Sequence, residues 1–408
     1  MPADADTRDA AYRPAGSAAE VLVAFLKLGL KSFGGPVAHL GYFRTEFVER
    51  RRWLDDASYA DLVALCQFLP GPASSQVGMA LGLARAGWAG SLAAWAGFTL
   101  PSAVAMILVA SGVAAWADAA GSGGLLDGLK VVAVAVVAQA VWGMAKTLCP
   151  DRLRAGMAVT AALLVLLAPT TAGQVGAIVL GGLAGHGLLR LASPTPSPPL
   201  TYGVGRRTGA ILLGLWLALL GLLPLLAALQ ASAWLSATAV FYQAGSLVFG
   251  GGHVVLPLLQ AGVVPAGWVA QDAFLAGYGA AQAVPGPLFT FAAFLGAVMP
   301  SPLGGWAGGF AMLLVIFLPG FLLVAGALPF WEDLRRHPAV QRAVAGVHAA
   351  VVGVLAATLY DPVWTSAIHT GLDFGMALAA YGLLVFARWS PAWVVMLAAA
   401  AGWLVSGG

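Results

Sequence analysis

Apolar residues run along this chain in long stretches that are interrupted by glycine and proline more often than by charge. From Thr208 to Trp331 the only Asp, Glu, Lys or Arg is Asp272. A stretch of that length predicts several helices in series, each of about 20 residues, enough to cross a bilayer. Two kinds of segment are predicted. Continuous apolar helices are expected near 88–116, 126–148, 154–169, 173–192, 209–230, 304–328, 338–358, 365–387 and 389–405. Broken segments are expected at 18–50, 57–86, 232–264 and 272–300. Segment 57–86 is cut at Pro70-Gly71-Pro72 into arms of about 13 residues, near 20 Å each. That is short of a hydrocarbon core of about 30 Å, which predicts a re-entrant hairpin.

The broken segments repeat. Phe25–Pro36 reads FLKLGLKSFGGP and Phe241–Gly252 reads FYQAGSLVFGGG. Phe25, Gly29, Phe33, Gly34 and Gly35 align with Phe241, Gly245, Phe249, Gly250 and Gly251. Trp53, Gln67 and Pro70-Gly71-Pro72 align with Trp268, Gln282 and Pro285-Gly286-Pro287. Trp88, Gly90, Pro101 and Gly128 align with Trp306, Gly308, Pro319 and Gly346. Such a repeat, with breaks at matching positions, is the sequence mark of a secondary transporter and of its binding site. The domains expected are a cytoplasmic tail at 1–17, a first membrane repeat at 18–192 and a linker at 193–208. A linking transmembrane helix at 209–230 and a second repeat at 231–408 follow.

Composition narrows the class. Apolar residues make up 60% of the chain and charged residues 9%, with 53 glycines and 24 prolines. A soluble domain is nearer a quarter charged, and the runs lack the alternation of a β-barrel. The net charge of +3 comes from short basic loops and points to no nucleic-acid partner. Cys66 and Cys149 are the only cysteines, so neither a disulfide framework nor a metal site is expected, and no cofactor. Basic residues set the orientation. Arg44, Arg50, Arg51 and Arg52 follow the first broken segment, whereas the matching stretch 260–267 is uncharged. Arg335, Arg336 and Arg342 lie where the first repeat has no basic residue. The bias flips, which predicts inverted topology, and helix 209–230 supplies the odd crossing. The fold class expected is therefore all-α integral membrane, two inverted-topology repeats with broken or re-entrant hairpins, joined by one unpaired transmembrane helix.

Candidate chemistry lies at the breaks. Proline suits a first helical turn, whose free N–H groups and positive dipole end attract anions. Pro70, Gly71 and Pro72, with Ser74 and Ser75 behind them, have this form. Gly34, Gly35 and Pro36 repeat the device, and Gly250, Gly251, Pro285, Gly286 and Pro287 repeat it in the second half. Gln67 and Gln282 stand three residues before each Pro-Gly-Pro, as ligands or hairpin ties. Lys31, near the Gly-Gly break, is the intramembrane cation of interest; Lys27 lies one turn earlier. The plain alternative for each break is a kink or a close packing point. Glu46 and Asp61 are read as partners of loop arginines, Arg85 as an anchor, and His39 and His253 as satisfied polar residues. The sequence alone implies a small oxyanion as the ligand.

FLKLGLKSFGGPVAHL, WLDDASYADLVALCQFLPGP followed by SSQVGMALG, and the weaker FGGGHVVLP and QAVPGPLFTFAAFLGA together resemble the chromate ion transporter family in its long two-domain form. The resemblance covers nearly all the chain outside the tail, the 193–208 linker and the last helices. It implies a multi-pass protein of the inner (plasma) membrane that exports chromate, a tetrahedral dianion shaped like sulfate. It implies roles for Gly34, Gly35, Pro36, Pro70, Gly71 and Pro72; Gly252 stands where the first repeat has Pro36. No P-loop is present, so an ion gradient, the membrane potential or exchange must drive transport. Catalytic motifs such as HExxH are absent, which argues against a membrane enzyme. An anion channel, or a transporter for another oxyanion such as sulfate, remains the rival. Membrane lipid is the expected surrounding partner, and the chain alone leaves the oligomeric state open, a homodimer included.

Overall fold

A computed structural model describes residues 16–33, 35–116, 122–190, 203–230, 232–249 and 252–406. Most of the predicted tail and linker, with Gly34, Gly250 and Gly251, lie outside the described residues. The described chain is all helical, without a strand. It is an integral membrane protein of the multi-pass type: five described helices are long and apolar enough to cross a bilayer, and shorter apolar helices accompany them.

In the first repeat, α1 (Ala18–Gly29) is capped by Ser17, and α2 (Gly35–Phe43) follows the glycine break and runs into a π turn at Arg44–Arg50. α3 (Asp56–Phe68) and the start of α4 (Ala73–Trp116) flank Pro70-Gly71-Pro72. α4 is interrupted at Ala86 and Gly87, where φ of Gly87 is +62°. Its first arm is thus about 13 residues, near 20 Å. α5 (Ser122–Leu148), α6 (Arg152–Leu167) and α7 (Thr171–Leu188) complete the repeat. α8 (Arg206–Leu229) stands between the repeats. It packs on one line only, Gly209 against Gly326 and the Tyr242 hydroxyl donating to the Trp216 carbonyl at 3.1 Å.

The second repeat runs as α9 (Ala233–Leu247), α10 (Val255–Val263), α11 (Gln271–Ala283) and α12 (Phe291–Val298). α13 (Gly305–Ala327), α14 (Trp331–Arg336) and α15 (Pro338–Thr358) come next. α16 (Thr365–Ala367), α17 (Gly371–Val385) and α18 (Pro391–Ser406) close the chain. One predicted boundary moves. The helix expected from 365 starts at Gly371, because Thr370 and Asp373 form a capping box there. The residues before it, Leu359–Trp364, follow α15 but are broken at Asp361, whose φ of -126° and ψ of 114° are not helical.

The repeats interlock by exchange. Gly128 of α5 lies against the Ala398 backbone of α18, and its register partner Gly346 of α15 lies against the Gly181 backbone of α7. Small residues at these points let backbones approach, as membrane helix packing favours. α4 beyond Gly87 and its counterpart α13 pack antiparallel. Trp88 meets Phe321 at 6.0 Å between ring centroids, Trp95 meets Phe317 at 5.9 Å, and Ile107 lies against Gly309.

Charge gathers at one end. Arg85 and Arg51 both reach Glu20, at 3.0 and 3.9 Å, and both guanidinium groups lie over the Trp53 ring. Glu46 holds Arg50 and Arg51 at 2.6 Å each, which satisfies the expectation that it serves loop arginines. Asp61 accepts from the Trp331 indole N–H at 3.0 Å, which joins the middle of α3 to the start of α14. Arg206 pairs with Asp333 at 2.7 Å. Arg44 binds Asp56 through two hydrogen bonds of 2.8 and 3.0 Å. The same strut in the second repeat is neutral: Gln260, the register partner of Arg44, donates to Gln271, the register partner of Asp56, at 2.9 Å.

Candidate functional site

The two Pro-Gly-Pro breaks meet the ends of α1 and α9 where the repeats cross. The Gly71 N–H donates to the Val248 carbonyl at 2.6 Å, and the Gly286 N–H donates to the Ser32 carbonyl at 2.9 Å. Gly71 and Gly286 are register partners, and so are Ser32 and Val248. Each hairpin tip is therefore tied to the residue just before the aromatic-glycine break of the other repeat. Positive φ makes glycine the natural choice at these tips, +121° at Gly71 and +102° at Gly286.

Each tip also lies on the long helix of the other repeat. A Cβ on Gly71 would come within 3.3 Å of the Gly320 Cα, beside Pro319 of α13. A Cβ on Gly286 would strike the Ser102 hydroxyl, beside Pro101 of α4. Polar side chains fasten both contacts. Gln76 Nε2 donates to the Pro70 carbonyl at 2.8 Å and to the Gly320 carbonyl at 3.3 Å. The Ser102 hydroxyl donates to the Pro285 carbonyl. Gln76, not Gln67, is thus the amide that ties the first hairpin; Gln67 is exposed on α3. Gln282 is half-buried, and its Nε2 is a buried donor without a partner.

The tip N–H groups are spent on protein, so the donors left for a ligand lie just beyond them. Ala73, Ser74 and Ser75 open α4 with no backbone acceptor for their N–H groups. In the second repeat the chain enters through a 3-10 turn at Leu288–Thr290, where Thr290 donates back to the Pro287 carbonyl. Several buried polar atoms near these starts also lack partners: Ser32 Oγ, Ser75 Oγ, Gln76 Oε1 and Thr99 Oγ1. Buried polar groups are normally satisfied, so unspent ones clustered at a helix start are ligand-facing candidates. His39 joins the two sides. Its Nε2 lies 3.2 Å from the Ser32 carbonyl and its Nδ1 lies 3.4 Å from the Ser74 hydroxyl. Gly35 has φ +76° with open space around its missing Cβ, and Pro36 lies 3.8 Å from where a Cβ on Gly252 would sit.

Lys31 is placed differently from the breaks. It is exposed in the turn after α1, as is Lys27 one turn earlier, on the side where Leu26 and Leu30 are also exposed. Lys130, which aligns with His348 in the register of Gly128 and Gly346, is largely buried and pairs with Asp127 at 2.6 Å and with Asp272 of the second repeat at 3.3 Å. Sequence reasoning missed Ser102, Gly320 and the two acceptor carbonyls. Ser102 and Gly320 follow the matched prolines Pro101 and Pro319, which was a usable signal; backbone carbonyls leave none.

Comparison with known proteins bears on this geometry. A family model described as "Chromate transporter" matches the chain twice, at residues 19–186 and 235–403. The chain is 30% identical to a chromate transport protein of Pseudomonas aeruginosa over 98% of its own length and 95% of that protein's. It is 29% identical to a probable chromate transport protein of Synechococcus elongatus, over 84% of each. It is 27% identical to a chromate transport protein of Cupriavidus metallidurans, over 82% of this chain and 80% of the other. No solved structure matches.

Proposed function

The chain belongs to the chromate transporter family, a family of transporters and not enzymes, and on that premise we propose that it carries chromate out of the cell across the inner membrane by alternating access. The observation that carries the reading is the reciprocal tie, Gly71 to Val248 and Gly286 to Ser32. A contact made twice between register partners describes two halves related by a two-fold. Antiparallel packing of α4 on α13 supports an axis in the membrane plane, hence inverted repeats. The end holding Glu20, Arg44, Arg51 and Arg85 is then cytoplasmic by the excess of basic residues. α8 supplies the extra crossing and faces lipid with its exposed leucines. Segments 56–85 and 271–298 are the re-entrant hairpins.

The substrate site proposed is the crossing itself. Helix starts at Ala73 and Leu288, with Gly35, are to supply N–H donors to a midplane anion; Gly34, Gly250 and Gly251, outside the described residues, stay candidates from the sequence, and Pro36, which has no N–H, only opens α2. Ser74, Ser75, Gln67 and Gln282 border the anion. A dianion in hydrocarbon needs such compensation, since a single unshielded charge there costs several kcal/mol or more. Chromate and sulfate share tetrahedral geometry, so sulfate is proposed as a second substrate. Carrier action is favoured over a channel because the crossing is closed by direct contacts of each tip with the opposite repeat. Rocking one repeat against the other would exchange which hairpin is tight. A cryo-electron microscopy structure with chromate or molybdate tests the site. Anion density is expected within hydrogen-bond distance of the Ala73–Ser75 N–H groups. Density confined to the arginine-rich end would overturn the assignment.

A further inference from the structure

His348 stands on α15, whose small residues bring it against α7 and α6: Gly346 meets Gly181, and Gly353 meets the Ala158 backbone. Its ring meets Phe249 edge-on, 6.2 Å between centroids at 63°, and has the Gln67 backbone as its polar neighbour. Phe249 is the last residue before the Gly250-Gly251 break. Gln67 is three residues before Pro70. The imidazole therefore bridges a break of the second repeat and a break of the first. Its Nε2 is buried and has no hydrogen-bond partner among the described residues. A buried ring nitrogen left unspent between the two breaks is unusual, because buried polar atoms are normally paired. The register partner Lys130 offers no such free group, since its ammonium is held by Asp127 and Asp272.

We propose that His348 is a side-chain ligand of the transported oxyanion: with Nδ1 donating to the Gln67 backbone carbonyl, the ring takes a proton from water beside the dianion, and the imidazolium so formed donates one hydrogen bond from Nε2 to an oxygen of a tetrahedral dianion of the chromate and sulfate class. The inference rests on the crossing being the anion site. Elsewhere at the crossing the N–H donors are backbone groups at helix starts, which any anion can use, and the neutral Gln282 amide. An imidazole fixed by Phe249 and the Gln67 backbone adds a donor at one set direction, which selects for a ligand with an acceptor oxygen there. It also makes the halves unequal: the second repeat contributes a free side-chain donor, and the matching position of the first repeat contributes a closed ion pair.

The test is chromate uptake by proteoliposomes holding the full chain, with His348→Phe, His348→Gln and Ser75→Ala compared with the parent. Phenylalanine keeps a ring against Phe249 and removes the donor; glutamine restores one. A hydrogen bond to a charged group is worth on the order of tenfold in affinity. The expected result is a rise of on the order of tenfold in KM for His348→Phe, with maximal rate and anion-free melting temperature close to the parent. The melting shift that chromate induces should shrink, and His348→Gln should recover part of both effects. If Ser75→Ala raises KM and His348→Phe does not, the crossing holds the anion but His348 is only packing, and the inference fails. If neither variant alters KM, the crossing is not the site and the inference fails with it.

Discussion

Replacing Gly71 by alanine puts a methyl group where two repeats touch. The residue sits at φ +121°, a region costly for any side chain. The new Cβ would lie 2.8 Å from Gln76 Nε2, 3.2 Å from Gln76 Cδ and 3.3 Å from Gly320 Cα. Backbone strain costs about 1–3 kcal/mol. Gln76 must swing aside and give up its bonds to the Pro70 and Gly320 carbonyls, about 1 kcal/mol each. The sum is about 3–5 kcal/mol, concentrated at the crossing. Gly286→Ala should behave alike, because its Cβ meets the Ser102 hydroxyl and the Phe98 carbonyl at φ +102°. Gly35→Ala is the control. It has φ +76° and nothing within 4 Å, so strain alone applies, about 1–2 kcal/mol. Heating each purified variant in detergent and measuring the monodisperse fraction by size-exclusion chromatography gives the order. Gly71→Ala and Gly286→Ala should melt several degrees below Gly35→Ala and lose chromate uptake. Equal melting of Gly71→Ala and Gly35→Ala would refute the proposed packing of the tip on α13.

Single cysteines in a background lacking Cys66 and Cys149 report topology: Arg51→Cys should label from the cytoplasmic side and Ala266→Cys from the outside with an impermeant reagent. Ala266 is the better outer probe than nearby Gly262, whose Cβ would strike Val240; labelling of both from one side would contradict inverted repeats. Lys31→Met should lower chromate uptake more than Lys31→Arg, with Lys27→Met milder, because Lys31 is an exposed cation one residue before Ser32, whose carbonyl takes the Gly286 tie, and a cation there raises local anion concentration. Uptake by Lys31→Met equal to the parent would leave charge compensation to the helix starts and His348. Raising ionic strength should erase the Lys31 difference, since exposed charges are screened within about 8 Å at physiological salt.

Much of the fold was readable because glycine and proline punctuate the chain so clearly. The breaks at Pro70-Gly71-Pro72 and Pro285-Gly286-Pro287 fall between α3 and α4 and between α11 and α12, as the pattern required. The start of α17 was misplaced although Thr370 and Asp373 carry a capping signature; the apolar run before it hid the boundary. The site was readable in its glycines and prolines but not in its partners. Val248 and Ser32 take part through their carbonyls, so residue type says nothing about them. Gln67 stood out for its position, yet Gln76 makes the tie, because a residue one turn into α4 can turn back onto its own break. His348 aligns with Lys130 in the repeat, but its nearness to Phe249 and Gln67 depends on how α15 crosses the other repeat.

The central claim is that one anion site at the crossing is exposed to each side of the membrane in turn. Counterflow tests it most directly. Proteoliposomes holding the purified chain are loaded with unlabelled sulfate or chromate, and entry of radiolabelled chromate is followed with the membrane potential clamped. The account predicts saturable entry that is accelerated by anion inside, because a loaded site returns faster than an empty one. Entry that rises linearly with concentration and ignores the internal anion would contradict it, and would mark a channel instead.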